Sequence, residues 1–427
     1  MTPLHARDIE TRLAIIGSGL AGCAAALFAA ERGIACAVTG QTGAVAYTTG
    51  YLDLLGREDG TARGIDDPWA ALEGLRATQP RHPLARVPAD EVRRSLEHFT
   101  RFLTEQGLAY TAPGTRNLAA LSPVGTAKRT LCVPRTMVAG AEAMALGQPC
   151  VIVDFEGLKG FSGREFVANL GPRWPGLSTR RIAFPGLPPG ELHAEVMARA
   201  LEVPAHREAL ALALREAAGT ARVVGLPAIL GMHRPDAVHQ ALQALTGLTL
   251  FEIPTMPPAV PGIRLRELLE QALPQRGVAM VAQHKVQQLA FDVEGATLTL
   301  ADAFGPIHVR AQAVLLASGR FLSGGLEARP EGVVEPLLGL PVTQPPCRAD
   351  WYRERYTDAA GHPVHRAGLE VDDRMRPLGP SGRPFDERLF AAGSILAHHD
   401  WIRTRSGAAI AIATAWAAVG SMATLLH

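Results

Sequence analysis

Leu13-Ala14-Ile15-Ile16-Gly17-Ser18-Gly19-Leu20-Ala21-Gly22 constrains the fold more than any other stretch of this chain. A short apolar run ends in Gly17-x-Gly19-x-x-Gly22 and leads into Cys23-Ala24-Ala25-Ala26-Leu27-Phe28, which reads as strand, tight turn and a helix of small residues. Gly17 permits the turn, Gly19 lets a pyrophosphate approach the backbone, and Gly22 lets helix and strand pack closely. The helix start adds free N–H groups and the positive end of its dipole. A lone glycine signature is weak, but here Ala26 and Gly33 continue the small-residue spacing, as a flavin-type Rossmann opening requires. The competing reading is a small-residue turn that only packs an α/β sheet.

At 427 residues the chain exceeds one ordinary core, and 47% hydrophobic with 19% charged residues describes a globular protein. A net charge of +1 gives no reason to expect nucleic acid. Cys23, Cys36, Cys132, Cys150 and Cys347 are scattered without a C-x-x-C pair, so zinc and iron–sulfur ligation are not expected and the thiols read as reduced. No signal-peptide pattern opens the chain. Gly407 to Leu426 approaches membrane-span length, but its alanine content suits a buried helix better.

The expected class is α/β: a Rossmann-like flavin-binding domain of the two-domain FAD/FMN oxidoreductase type. Residues 1–139 and 262–427 form that domain, with a helical excursion at about 66–110, and 140–261 form an inserted α/β substrate or cap lobe. Strand 12–16, helix 20–32 and strand 34–38 open the first domain. Cys150–Phe155 and 223–230 read as strands of the lobe, Pro172–Pro189 as loop, and Phe251–Gly262 as proline-dense linker. Runs at 278–281, 286–291, 296–300 and 307–309 read as a meander ending in the strand 313–317. Ser318-Gly319 then lies where ligands of parallel sheets bind. Asp154 reads as a cap or as a ligand-binding residue.

Three separated blocks, the opening motif, Ala317-Ser318-Gly319 and Leu389-Phe390-Ala391-Ala392-Gly393, resemble the order in flavoproteins of the succinate dehydrogenase and glycerol-phosphate dehydrogenase type. Thr49-Gly50-Tyr51-Leu52-Asp53-Leu54-Leu55, Pro254-Thr255-Met256-Pro257-Pro258, Gly262-Ile263-Arg264-Leu265 and Arg320-Phe321-Leu322-Ser323-Gly324-Gly325-Leu326 are similar to the B-subunit family of anaerobic glycerol-3-phosphate dehydrogenase. Glu335–Leu340 and Trp351-Tyr352 extend the likeness across nearly the whole chain. The resemblance implies a flavin-carrying subunit that oxidises sn-glycerol 3-phosphate to dihydroxyacetone phosphate and passes electrons to menaquinone. It implies FMN as cofactor and a place on the cytoplasmic face of the membrane. Its implied partners in glycerol-3-phosphate dehydrogenase are the A subunit, a second flavoprotein, and the C subunit, which carries iron–sulfur clusters and anchors to the membrane. The alternatives are a non-catalytic assembly or relay partner of the A subunit, and a stand-alone flavin dehydrogenase of another small alcohol.

Flavin oxidation of an alcohol needs a base for the hydroxyl proton, and a phosphate substrate needs a guanidinium. His398 and His399 are candidate bases, and Arg403 and Arg405 a candidate phosphate clamp; a solvated loop or a contact surface for the A subunit competes with that reading. His284 and Arg264 are second choices. The expected flavin contacts are Gly17, Ser18, Gly19, Leu20, Ala21, Gly22, Thr39, Thr48, Thr49, Gly50, Ser318, Gly319, Gly393 and Ser394. Two positions depart from the family pattern: Ser406-Gly407-Ala408-Ala409 replaces a glycine-dense run, and Ser394 an acidic residue. Val38 is followed by Thr39-Gly40-Gln41, with no acid to grip an adenosine ribose, which favours FMN and leaves FAD as the alternative.

Overall fold

The computed structural model describes residues 7–42 and 44–426. They form two compact units: one comprises the chain up to Ala44, Asp53–Phe99 and the chain from Leu269 on, the other Val45–Leu52 and Thr100–Leu268. The second unit thus takes in more of the chain on both sides than the stretch 140–261.

The first unit is built on a mixed sheet ordered Gln288–Phe291, Ala296–Asp302, Gly305–Leu316, β1 (Asp8–Ser18), β2 (Cys36–Thr42) and Ala279–Ala282. Leu13 to Ile16 of β1 lie between two parallel neighbours, pairing Cys36 to Thr39 on one side and Ala313 to Leu316 on the other. A strand flanked this way and covered on both faces must be apolar throughout, as Leu-Ala-Ile-Ile is. Gly305–Leu316 is one continuous strand where the sequence suggested two: its first half pairs antiparallel with Ala296–Asp302, its end parallel with Leu389–Ala391. The segment Ala279–Ala282 pairs parallel with β2 and is not part of the meander.

Helix α1 (Leu20–Glu31) buries Ala21 to Ala29 without a gap, because it packs on the sheet and against the C-terminal helix Gly407–Leu426. Alanine side chains allow that close approach. The C-terminal helix is the one helix among the described residues long and apolar enough to cross a membrane. Here Ala408 to Ala415 are buried, and Thr414 Oγ1 accepts the Gly393 N–H at 2.8 Å. The excursion contains α2 (Pro68–Thr78), capped by Asp67, and the short α3 (Pro83–Arg86), whose cap His82 accepts the Leu84 N–H on Nδ1 at 3.1 Å. Cys23, Cys36, Cys132 and Cys150 are buried and Cys347 is exposed; burial pushes the Cys23, Cys36 and Cys150 thiols up to about 12.

The second unit holds an all-parallel sheet ordered Leu177–Ile182, Cys150–Phe155, Val223–Pro227 and Thr249–Ile253. Two of these strands fall where the sequence suggests loop and linker. Leu177–Ile182 is an edge strand in which only Leu177 is buried, and Thr249–Ile253 carries a carboxylate within it. That carboxylate, Glu252, is fully buried against Arg264, with Nη1 and Nη2 at 2.7 and 2.8 Å. Thr136 Oγ1 and the Leu230 N–H donate to it as well, both at 2.7 Å. Burial works to raise its pKa, and these donors outweigh burial and lower it. Arg264 is thereby a structural partner. Asp154 is one too, accepting from the Phe155 and Gly163 N–H groups and from Arg181.

Candidate functional site

The glycines of the opening motif serve different purposes. A Cβ on Gly17, which has φ +121°, would sit 2.2 Å from the Ala317 carbonyl oxygen, and one on Gly22 would sit 1.7 Å from the Gly17 oxygen. Those two are needed for the chain to pack on itself. A Cβ on Gly19 would meet nothing within 4 Å. Gly19 is the N-cap of α1 and has no side-chain cap, so the helix start faces open space. This is a cradle that fits a phosphate group.

Two further loops lie beside it. Gly393, at φ +81°, would bring a Cβ within 2.7 Å of the Ala21 Cβ, and a Cβ on Gly319 would lie 3.7 Å from Ser394 Oγ. The loop Ser18 to Gly22, Ser318-Gly319 and Gly393-Ser394 therefore converge at the carboxyl ends of β1 and Gly305–Leu316. Thr39 is fully buried instead, its hydroxyl donating to the Ile15 carbonyl at 3.2 Å. Thr48, Thr49 and Gly50 belong to the second unit. There the Thr48 hydroxyl donates to the Val45 carbonyl and accepts the Gly50 N–H, and the Gly50 carbonyl accepts from Tyr110. His284 forms an isolated backbone bridge with Gly40.

Arg320, next to Gly319, ties the loops of the first unit together. Its guanidinium donates to the carbonyls of His365, Leu396 and His399, and to His399 Nε2 at 3.1 Å. Burial lowers its pKa to about 10, with Asp400 opposing. An arginine can only donate, so His399 Nε2 is the acceptor and the His399 proton sits on Nδ1, which has no partner among the described residues. Burial, and then Arg320, keep His399 neutral by holding its pKa well below the ordinary value.

His398 has a left-handed backbone at φ +67°, a conformation that residues with a Cβ rarely adopt. Its N–H donates to the Arg366 carbonyl, and its Nε2 lies 2.5 Å from Glu370 Oε2. Glu370 also receives Arg81 through two donors at 3.1 and 2.7 Å, and Arg86 at 3.4 Å. Burial works to raise this carboxyl, but Arg81 and His398 outweigh it and hold the pKa at about 2. An imidazole fixed by an ionised carboxylate is an arrangement that can take a proton. Arg403 donates to the Tyr356 carbonyl at 3.2 Å, and its N–H caps onto Asp400. Arg405 is left-handed at φ +51°, and burial lowers its pKa.

A cleft of about 430 Å³ opens in the first unit, lined by His82, Arg81, Arg366 and His398 among others. Neither Arg403 nor Arg405 is in its lining. Glu370, Arg81, His82 and Arg366 are not among the sequence candidates, since nothing local connects residues as far apart as the 289 positions between Arg81 and Glu370, and Arg320 enters there only within a family-like block, without a role. Among the described residues, no group of three or more His, Cys, Asp and Glu could hold a metal ion.

A family profile described as "FAD binding domain" matches residues 12–410. The chain is 30% identical over 420 residues to a Vibrio vulnificus (strain YJ016) protein named as the B subunit of anaerobic glycerol-3-phosphate dehydrogenase, covering 95% of each chain. It is 30% identical over 414 residues to the protein of that name from Yersinia pseudotuberculosis, covering 94% of this chain and 95% of that one. Among solved structures, 3-ketosteroid delta1-dehydrogenase from Sterolibacterium denitrificans is similar at a TM-score of 0.46 and 12% identity, over 97% of this chain and 100% of that one.

Proposed function

The chain belongs to the FAD binding domain family and, within it, to the B-subunit family of anaerobic glycerol-3-phosphate dehydrogenase, and from that membership we propose how this flavoprotein dehydrogenase subunit works. Its reaction is oxidation of sn-glycerol 3-phosphate to dihydroxyacetone phosphate, with electrons leaving toward menaquinone. A bound flavin supplies the hydride acceptor. The Ser18 to Gly22 loop and the start of α1 hold its phosphate, with Ser318-Gly319 and Gly393-Ser394 beside them. Of the two flavins, FAD is the better reading: the matching family binds FAD, and the extended glycine spacing belongs with a dinucleotide. The missing acid after β2 and the FMN that the family resemblance implies stand on the other side.

His398 takes the hydroxyl proton of the substrate, and Glu370 holds the ring in place and stabilises the imidazolium that forms. The observation that carries this is the 2.5 Å contact of Glu370 with His398, which sits on the loop that follows Gly393-Ser394. His399 suits the task less well, being fully buried with Nε2 committed to Arg320. The partners are the flavoprotein A subunit and the iron–sulfur C subunit, which holds the complex on the cytoplasmic face of the membrane. The first unit is the flavin-binding domain and the second the substrate or cap lobe.

The test is to purify the chain alone and with the A subunit, release the cofactor by heat, identify it, and assay glycerol-3-phosphate-dependent dye reduction. We expect released FAD, and a fall in kcat of roughly 10²- to 10⁴-fold in His398→Gln with flavin content unchanged. A colourless chain in an active complex would overturn the catalytic reading, and released FMN would overturn the choice of flavin.

A further inference from the structure

His82 is 2% exposed, and its ring has a fixed tautomer. Nδ1 accepts the Leu84 N–H, so the proton is on Nε2, and that N–H has no partner among the described residues. Buried donors are almost always paired in native proteins, so this one points to an acceptor that the described residues do not supply. The residue lines the 430 Å³ cleft, whose size is ordinary for a small-molecule site. Burial and then Arg366 lower its pKa to about 3, so the ring remains a single neutral donor at neutral pH.

The rest of the lining has one electrostatic character. It includes the guanidinium groups of Arg81 and Arg366 and the imidazole of His398, but no Asp or Glu. The carboxylates that pair with these cations, Glu370 and Asp59, do not line the cleft. Arg366 meets both oxygens of Asp59 through Nη2 alone, at 2.6 and 2.7 Å, so its other N–H groups are available to a second acceptor. A ligand rich in acceptor oxygens, carrying negative charge and no donors of its own at that end, satisfies both observations.

We propose that this cleft seats the phosphate of a phosphate monoester, with the His82 Nε2–H and the Arg366 guanidinium as its donors and His398 next to the carbon end. His82 is then a positioning residue, and the phosphate clamp is Arg366 in place of Arg403 and Arg405. This rests on the dehydrogenase reading for the identity of the monoester. The binding claim can nevertheless be tested without turnover.

The experiment uses the full chain with its flavin bound and ¹⁵N-labelled histidine, titrated with inorganic phosphate, sn-glycerol 3-phosphate and glycerol, by calorimetry and NMR. We expect both phosphates to bind and to move the Nε2 resonance of one neutral histidine, while glycerol does neither. His82→Asn keeps an acceptor for the Leu84 N–H and removes the cleft donor. It should weaken both phosphates by about tenfold, the loss of one charge-assisted hydrogen bond, and raise KM more than it lowers kcat. Arg366→Gln should weaken them further. Unchanged phosphate affinity in both variants, or a loss confined to Arg403→Gln and Arg405→Gln, overturns the proposal. Phosphate binding and the histidine shift in a chain that reduces no dye would support the site and count against the dehydrogenase reading alone.

Discussion

Taking the charge from Glu252 while Arg264 stays in place removes the counter-charge from a guanidinium that is 1% exposed. Arg264 Nε donates to the Gly231 carbonyl, so the side chain is held where it is and cannot turn to water. Breaking a buried pair in this way costs about 3–5 kcal/mol, far more than the pair adds relative to an apolar filling. Glu252→Gln is therefore expected to lower the urea midpoint of the chain sharply. Glu252→Met combined with Arg264→Leu should recover most of the loss, because the apolar pair leaves no unpaired charge. A double variant no more stable than Glu252→Gln would show that the hydrogen bonds to Thr136 and Leu230 carry the stability instead.

Within α1 and its turn, the motif glycines make separable predictions. Gly22→Ala drives a methyl group to 1.7 Å from the Gly17 oxygen, so β1 and α1 must part, and the chain should lose both flavin and thermal stability. Gly19→Ala puts a methyl group into space that the protein leaves open. Its fold should hold, with a melting temperature close to that of the parent without flavin, while flavin affinity falls at least tenfold, read by fluorescence on titration. Equal behaviour of the two variants would mean the open space at Gly19 is not where a phosphate sits. This opening was legible in the sequence because every requirement on it is local: an apolar run, a turn and a helix of small residues. Thr249–Ile253 was not, since Glu252 breaks its apolar run and the prolines from Pro254 on suggest a linker; the arginine that lets a carboxylate sit there comes 12 residues later. Leu177–Ile182 looked like loop because an edge strand can be polar. His398 was named from its loop, but its orienting partner Glu370 and the cleft-lining His82 come from segments far apart in sequence that only the tertiary fold brings together.

For the whole molecule, family membership covers nearly the full chain, and the cofactor enters its stability by mass action. Flavin that binds only the folded chain adds about 2.7 kcal/mol at a hundredfold excess over Kd. A melting temperature that climbs with added FAD, and less with FMN, is the expected outcome, followed by scanning calorimetry. Since the cradle belongs to the first unit, protection from proteolysis on adding flavin should be strongest at sites in that unit. Protection of the second unit alone would place the flavin elsewhere.

The burial of every cysteine but Cys347 has a practical consequence for labelling chemistry. Thiols at Cys23, Cys36 and Cys150 hold their protons until about pH 12, and the thiolate is what attacks a maleimide. Cys347 is exposed and follows closely on Pro345, which lines the cleft. The native chain therefore has its own attachment point for a fluorophore or spin label, where ligand arrival can be watched without altering a single codon.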